Sequence, residues 1–238
     1  MTISTSTPVV TGAGRGLGRH LVDGLLDRGA PKVYALARDT SAVRVDPRVV
    51  AVPFDLLDPG SIAAAARRAD DASLLINNAS TSAFAAPLDA DLTAVRNELE
   101  VNFEGLYRTV LAFAPVIEAN GGGQIVNVLS LLSLASTPPM TGYSASKAAA
   151  HSLTQALRPV LAARGITVHG VYPGGIDTDM LAGIDAPKTA PAAVAAGILD
   201  GLAAGHEDIF PDPNSQAMSE LWWSDPKGFE RAFSGAAA

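Results

Sequence analysis

The chain has 238 residues, of which 48% are hydrophobic and 17% charged, so it carries enough apolar side chain to bury a core and reads as globular, not disordered. A net charge of −7, with no Lys/Arg run beyond Arg67-Arg68, argues against a nucleic-acid or anionic-membrane binder, since both need clustered cations. The absence of cysteine excludes disulfide, thiolate-metal and cysteine-nucleophile chemistry; with no apolar run near the ~20 residues of a membrane span and no basic–apolar leader before Pro8, a cytoplasmic protein is expected.

In chain order, Pro8 to Val10 reads as a short strand running into a glycine-rich turn. Residues 17–28 follow with Leu17, Leu21 and Leu25 at i, i+4 spacing, one apolar helix face that Gly29 ends. Strands are predicted over 33–37 and 49–54, a helix over 60–69 and a strand over 74–76. A single long helix is predicted over 91–118, then a strand over 125–129 and a helix over 143–163. Further strands over 167–172 and 208–210 flank a helix over 191–204. The tail from Pro211 onward, with Pro213 and Pro226, fits no element. Nearly continuous Val/Ile/Leu strands alternating with helices predict an α/β fold: a doubly wound (Rossmann) parallel sheet of about seven strands with helices on both faces. With no repeat, linker or break in composition, residues 1–238 are read as one domain.

The turn Thr11-Gly12-Ala13-Gly14-Arg15-Gly16-Leu17-Gly18 joins the first strand to the first helix. Glycine there lets the backbone approach a pyrophosphate, with helix N–H groups and the helix dipole facing the anion. Its spacing is neither Gly-x-Gly-x-x-Gly nor a P-loop. The second strand ends at Arg38, where an acidic residue would bind the NAD ribose and an arginine suits the 2′-phosphate of NADP. Arg15 adds a second positive charge, and Asp39 works against it. NADP(H) is the favoured cofactor.

Tyr143 and Lys147 stand one helical turn apart on one face. A nearby ammonium favours the phenolate, so Lys147 is expected to lower the tyrosine's pKa, with an oxidised nicotinamide adding to the effect. That makes Tyr143 a general acid in reduction and a general base in oxidation. Ser130, at the carboxyl end of the fifth strand, lies where open α/β sheets bind ligands and can hydrogen-bond a substrate oxygen.

Taken together these motifs resemble the short-chain dehydrogenase/reductase family, NADP-preferring branch, over nearly the whole chain. Thr11-Gly12-x-x-x-Gly16-x-Gly18 is similar to its cofactor turn, and Asp55, followed by Leu56, to its adenine-contacting acid. Asn77-Asn78-Ala79-Ser80 resembles its Asn-Asn-Ala-Gly segment, with Ser80 in place of glycine. Asn102, Ser130, Tyr143 and Lys147 match its catalytic tetrad, and Pro173, Gly174, Ile176 and Thr178 fall in the segment that holds the nicotinamide end. The resemblance implies that Tyr143 exchanges the proton and Ser130 positions the carbonyl. Lys147 would bind the nicotinamide ribose and lower the tyrosine pKa, and Asn102 would hold a water that relays protons from Lys147. It also implies a ketone/aldehyde or alcohol substrate and a homodimer or homotetramer packed through the two long helices.

Two other readings stand beside it. Gly142-Tyr143-Ser144-Ala145-Ser146, with His169 and His206 downstream, is close to a serine-hydrolase elbow but lacks the last glycine and the strand before it. A non-catalytic NADP-binding regulatory protein would not require all four tetrad residues. No metal is expected, because His20, His151, His169 and His206 are scattered and Asp177/Asp179 form a lone pair. Leu131, Leu132, Ala135, Met180 and Leu181 flank the motifs and are expected to line an apolar pocket. The short segment after Thr178 leaves little chain for a lid, so an open site for bulky carbonyls is expected. Trp222-Trp223 could serve pocket, core or interface.

Overall fold

The computed structural model describes residues 2–234. Seven parallel strands form one sheet in the order β3-β2-β1-β4-β5-β6-β7. They are β1 (Pro8–Thr11), β2 (Val33–Ala37), β3 (Val49–Pro53), β4 (Leu74–Asn77), β5 (Gly123–Val128), β6 (Ile166–Val171) and β7 (Asp208–Ile209). The chain winds outward from β1 to β3, then returns across the sheet to β4 and winds the other way. That reversal between β1 and β4 opens a crevice at the carboxyl ends of the strands, where such folds bind ligands.

Successive strand residues feed opposite cores. Val9 and Leu75 pack towards α2 (Pro59–Arg68), α4 (Leu106–Ala119) and α5 (Thr141–Ala162), with Phe113 and Ile117 at the centre. Val10 and Ile76 pack towards α1 (Gly16–Asp27) and α6 (Pro191–Ala203), through Leu21, Leu25 and Ile198. This is the doubly wound architecture expected, with strand and helix ends differing by one or two residues, as is normal at frayed termini.

Two differences matter. The helix expected over 91–118 is broken into α3 (Leu92–Leu99) and α4 by a π-helical turn over Glu100–Gly105. Such turns insert one residue into the helical ladder and turn side chains to a new azimuth. The unassigned tail is two helices, α7 (Pro213–Ser224) and α8 (Pro226–Ser234). Both prolines stand at first helical positions, where the missing N–H costs nothing, behind Asp212 and Asp225, whose carboxylates accept from Ser215 N and Gly228 N. Phe229 of α8 is buried in the first core. No helix among the described residues is long and apolar enough to cross a membrane.

Candidate active site

The crevice has two ends. At one, the glycine turn follows β1. Gly12 and Gly16 adopt φ of 68° and 52°, the left-handed region that glycine enters without strain. Gly18 serves close packing: a Cβ there would lie 2.1 Å from the Gly12 carbonyl oxygen. The first turn of α1 holds no acidic residue and no side-chain cap, so its N–H groups keep their capacity for an anion. Gly14 lies against Ala37 and Ala42, beside the end of β2, and there Arg38 is exposed with no ion-pair partner among the described residues. Asp39 turns away, its Oδ1 accepting from Ser41 N (2.9 Å) and Ser41 Oγ (2.6 Å). Arg15 reaches Asp179 across the mouth of the crevice at 3.3 Å, an exposed pair.

Several residues expected at the cofactor also make contacts within the protein itself. Thr11 Oγ1 accepts from the N–H groups of Asn78 and Ala79, and Asn78 Nδ2 donates to the Thr11 carbonyl, clamping the β4 loop onto β1. The Leu17 and Leu56 side chains are buried in the two cores, which leaves only their backbones to face a ligand. Asp55 accepts from Leu57 N, forming a turn. No non-glycine residue among the described ones has positive φ, so Ser80 occupies its position without backbone strain. Gly174 N donates to Asp212 Oδ2, Pro173 O accepts from Leu131 N, Ile176 bridges to Thr189, and Thr178 rests against Gly16.

At the other end, three side chains meet beyond the end of β5. Ser130 caps a short 3₁₀ turn, its Oγ accepting from Leu132 N. Tyr143 and Lys147 project from the first turns of α5. Ser130, Tyr143 and Lys147 are all buried, at 8%, 8% and 2% exposure. Lys147 Nζ donates to the Val128 carbonyl at 2.8 Å and lies 5.6 Å from the centre of the Tyr143 ring.

Burial dominates their acidity. Removal from water pushes Tyr143 up to about 12, against a hydrogen bond from Ser130 that pulls it down, with the charge of Glu98 raising it further. The same desolvation lowers Lys147 to about 8. Desolvation sets the direction in this arrangement, and the lowering expected from a charged Lys147 together with an oxidised nicotinamide belongs to the proposed function.

Asn102 sits in the π-helical turn. Its Nδ2 donates to the Thr81 carbonyl (2.8 Å) and to Ser146 Oγ (2.9 Å), and its Oδ1 accepts from Thr81 N (2.9 Å). Both amide protons are thus committed, and Ser146 Oγ in turn donates to the Tyr143 carbonyl at 2.7 Å. Ser146 and Glu98 are site neighbours that sequence reasoning missed. For Glu98 the signal was a carboxylate on the inward side of a helix. Leu131 belongs to the core, whereas Met180 is exposed. A cavity of about 640 Å³ runs between the 134–141 loop and α7–α8, with Leu134, Pro138 and Trp222 in its wall. Trp223 is exposed. Among the described residues no group of three or more His, Asp or Glu could hold a metal ion.

A doubly wound sheet with a glycine turn at its switch point and a buried Ser–Tyr–Lys group at its strand ends defines a nucleotide-binding α/β oxidoreductase. Comparison makes the class specific: residues 6–189 match the short chain dehydrogenase family model. A short chain dehydrogenase from Burkholderia cenocepacia, solved in complex with NADP, is 38% identical, with a TM-score of 0.94 over 100% of both chains. Galactitol 2-dehydrogenase (L-tagatose-forming) of Cereibacter sphaeroides is 33% identical over 181 residues, 72% of this chain and 71% of that protein. A family member from Burkholderia phymatum, solved with NAD, is 22% identical with a TM-score of 0.85, a likeness of fold. The chain belongs to the short-chain dehydrogenase family of oxidoreductases.

Proposed function

We propose that this oxidoreductase reduces a ketone or aldehyde, or oxidises the matching alcohol, with NADP(H). The observation that carries the reading is the convergence of Ser130, Tyr143 and Lys147 in one water-poor corner of the switch-point crevice. Tyr143, protonated through neutral pH, donates to the carbonyl oxygen as it gains charge, and Ser130 fixes that oxygen by hydrogen bonding. Lys147 would hold ribose hydroxyls, and Asn102 with Ser146 braces the turn that carries the tyrosine. Because both Asn102 amide protons are committed, a relay water would rest on its carbonyl oxygens.

The cofactor fits the glycine turn: two glycines at positive φ and an uncapped helix start suit a pyrophosphate. Bound NADP(H) supplies or accepts the hydride. Arg38, with no ion pair among the described residues while Asp39 is occupied by Ser41, supports a 2′-phosphate; Thr11, Asn78 and Asp55 shape the cradle, and Pro173 to Thr178 close its far end. The choice of NADP(H) as cofactor supports reduction as the working direction. Exposed Tyr107 and Leu111 on α4 and Val160 on α5 support a homodimer or homotetramer built on those helices, to be measured by light scattering. A cytoplasmic setting belongs to the same reading.

The test follows loss of NADPH and NADH absorbance in parallel, with aliphatic, aryl and cyclic ketones and aldehydes. NADPH-dependent turnover that falls by about 10²–10⁴ in Tyr143→Phe is expected. Turnover with NADH alone would overturn the cofactor assignment. Tight NADP binding without any turnover would favour a regulatory, non-catalytic protein.

A further inference from the structure

Glu98 is a carboxylate with almost no reason to be where it is. It sits near the end of α3 at 2% exposure, and among the described residues no lysine, arginine or histidine pairs with it. Among the described residues its side chain has one hydrogen bond, from Ala83 N to Oε1, at 2.7 Å. Oε2 lies against Gly142, the residue before Tyr143, so closely that a Cβ at 142 would lie 2.1 Å from it. Glu98 and Asn102 are one helical turn apart, and both grip the segment after β4: Asn102 holds Thr81 by its N–H and carbonyl, Glu98 holds Ala83 by its N–H. The far side of that segment is stitched to the entry of α5, where Ala85 N donates to Pro139 O.

We propose that Glu98 is a positioning residue for Tyr143: it ties the Thr81–Ala83 segment to the first turn of α5 and holds a titratable carboxyl behind the tyrosine. Glutamine could accept the Ala83 N–H equally well and would not place an ionisable group out of water, which is costly without a partner. What glutamate adds is charge. The groups facing Tyr143 are Ser130 from the end of β5, Lys147 from the next turn of α5, and Glu98 from α3. Lys147 Nζ, held by the Val128 carbonyl 5.6 Å from the ring centre, favours the phenolate when charged, and the charge of Glu98 disfavours it. Burial in turn makes Glu98 easier to protonate than an ordinary glutamate. The carboxyl thus keeps Tyr143 in its protonated, proton-donating form to higher pH. The catalytic meaning rests on the carbonyl-reductase reading; the electrostatic link itself does not.

The experiment is a tyrosinate absorbance titration of the cofactor-free protein, with Tyr143→Phe identifying the transition that belongs to Tyr143. In Glu98→Gln that transition moves to lower pH by about half a unit or more. In the complete enzyme, alcohol-oxidation kcat near neutral pH then rises about threefold, the ratio that half a unit represents, with KM for the alcohol unchanged. If Glu98→Gln does not fold, Gly142→Ala, whose Cβ displaces the carboxylate, must shift the transition in the same direction. A Tyr143 midpoint equal to wild type in a folded variant overturns the proposal, however much stability has changed. The titration needs neither cofactor nor substrate, so failure of the reductase reading would show separately, as wild-type protein that turns nothing over.

Discussion

The two ends of the crevice are built on opposite principles. The glycine corner presents backbone N–H groups and exposed arginines, and its hydrogen-bonding side chains are spent on holding the loop in shape. The Ser130–Tyr143–Lys147 corner presents polar side chains, all three of them buried. Recognition by shape and surface charge tolerates water; proton transfer tuned by desolvation does not. Perturbing the first end should therefore change fold or cofactor affinity, and perturbing the second should change acidity and pH dependence.

The sharpest way to break the glycine corner is Gly18→Ala. Its Cβ would lie 2.1 Å from the Gly12 carbonyl oxygen, and neither backbone can give way cheaply. Destabilisation of about 1–3 kcal/mol, typical of overpacking, with loss of cofactor binding, is expected from denaturant unfolding and titration calorimetry.

At the buried end, Lys147→Met should abolish turnover yet raise stability at neutral pH. The sign follows from its lowered pKa. Between about 8 in the folded state and the ordinary 10.5, the unfolded chain binds the extra proton, so wild-type stability rises with pH across that window. The methionine variant has no such term, and its advantage in Tm should therefore shrink as pH rises from 7 to about 10. A constant advantage would mean that the lysine is not desolvated as described.

Arg38→Ala should raise KM for NADPH by about tenfold to a hundredfold, the worth of one charge-assisted hydrogen bond, and leave KM for NADH nearly unchanged. Equal effects on both would remove Arg38 from the 2′-phosphate. Smallest of all, Ser80→Gly should change stability by no more than about 0.5 kcal/mol, because Ser80 needs no glycine-only conformation.

Strands and most helices were legible because period-2 and period-3.6 patterns report burial directly. The π-helical turn was not: a single added residue leaves the apolar spacing of 91–118 looking continuous, while Asn102 is rotated onto Thr81 and Ser146. The tail could not be placed because Pro213 and Pro226 look like breakers, although each follows an aspartate that caps a helix. Tyr143 and Lys147 could be read from spacing and Ser130 from its place at a strand end, while Asn102 followed only from the family resemblance. Their energetics could not, since whether Lys147 helps its neighbour depends on how dry both are. At Thr11, Leu17 and Leu56 the motif names a position, while the structure shows the side chain serving the protein's own loop or core.

The π-helical turn also fixes what evolution can do to this stretch of chain. Substitutions on α3 and α4 change one side chain at a time, but deleting one residue within Glu100–Gly105 would heal the helix and rotate everything upstream about 100° relative to α4. Asn102 and Glu98 would then be carried away from the loop they hold, together. The helix can therefore drift in composition but not in length.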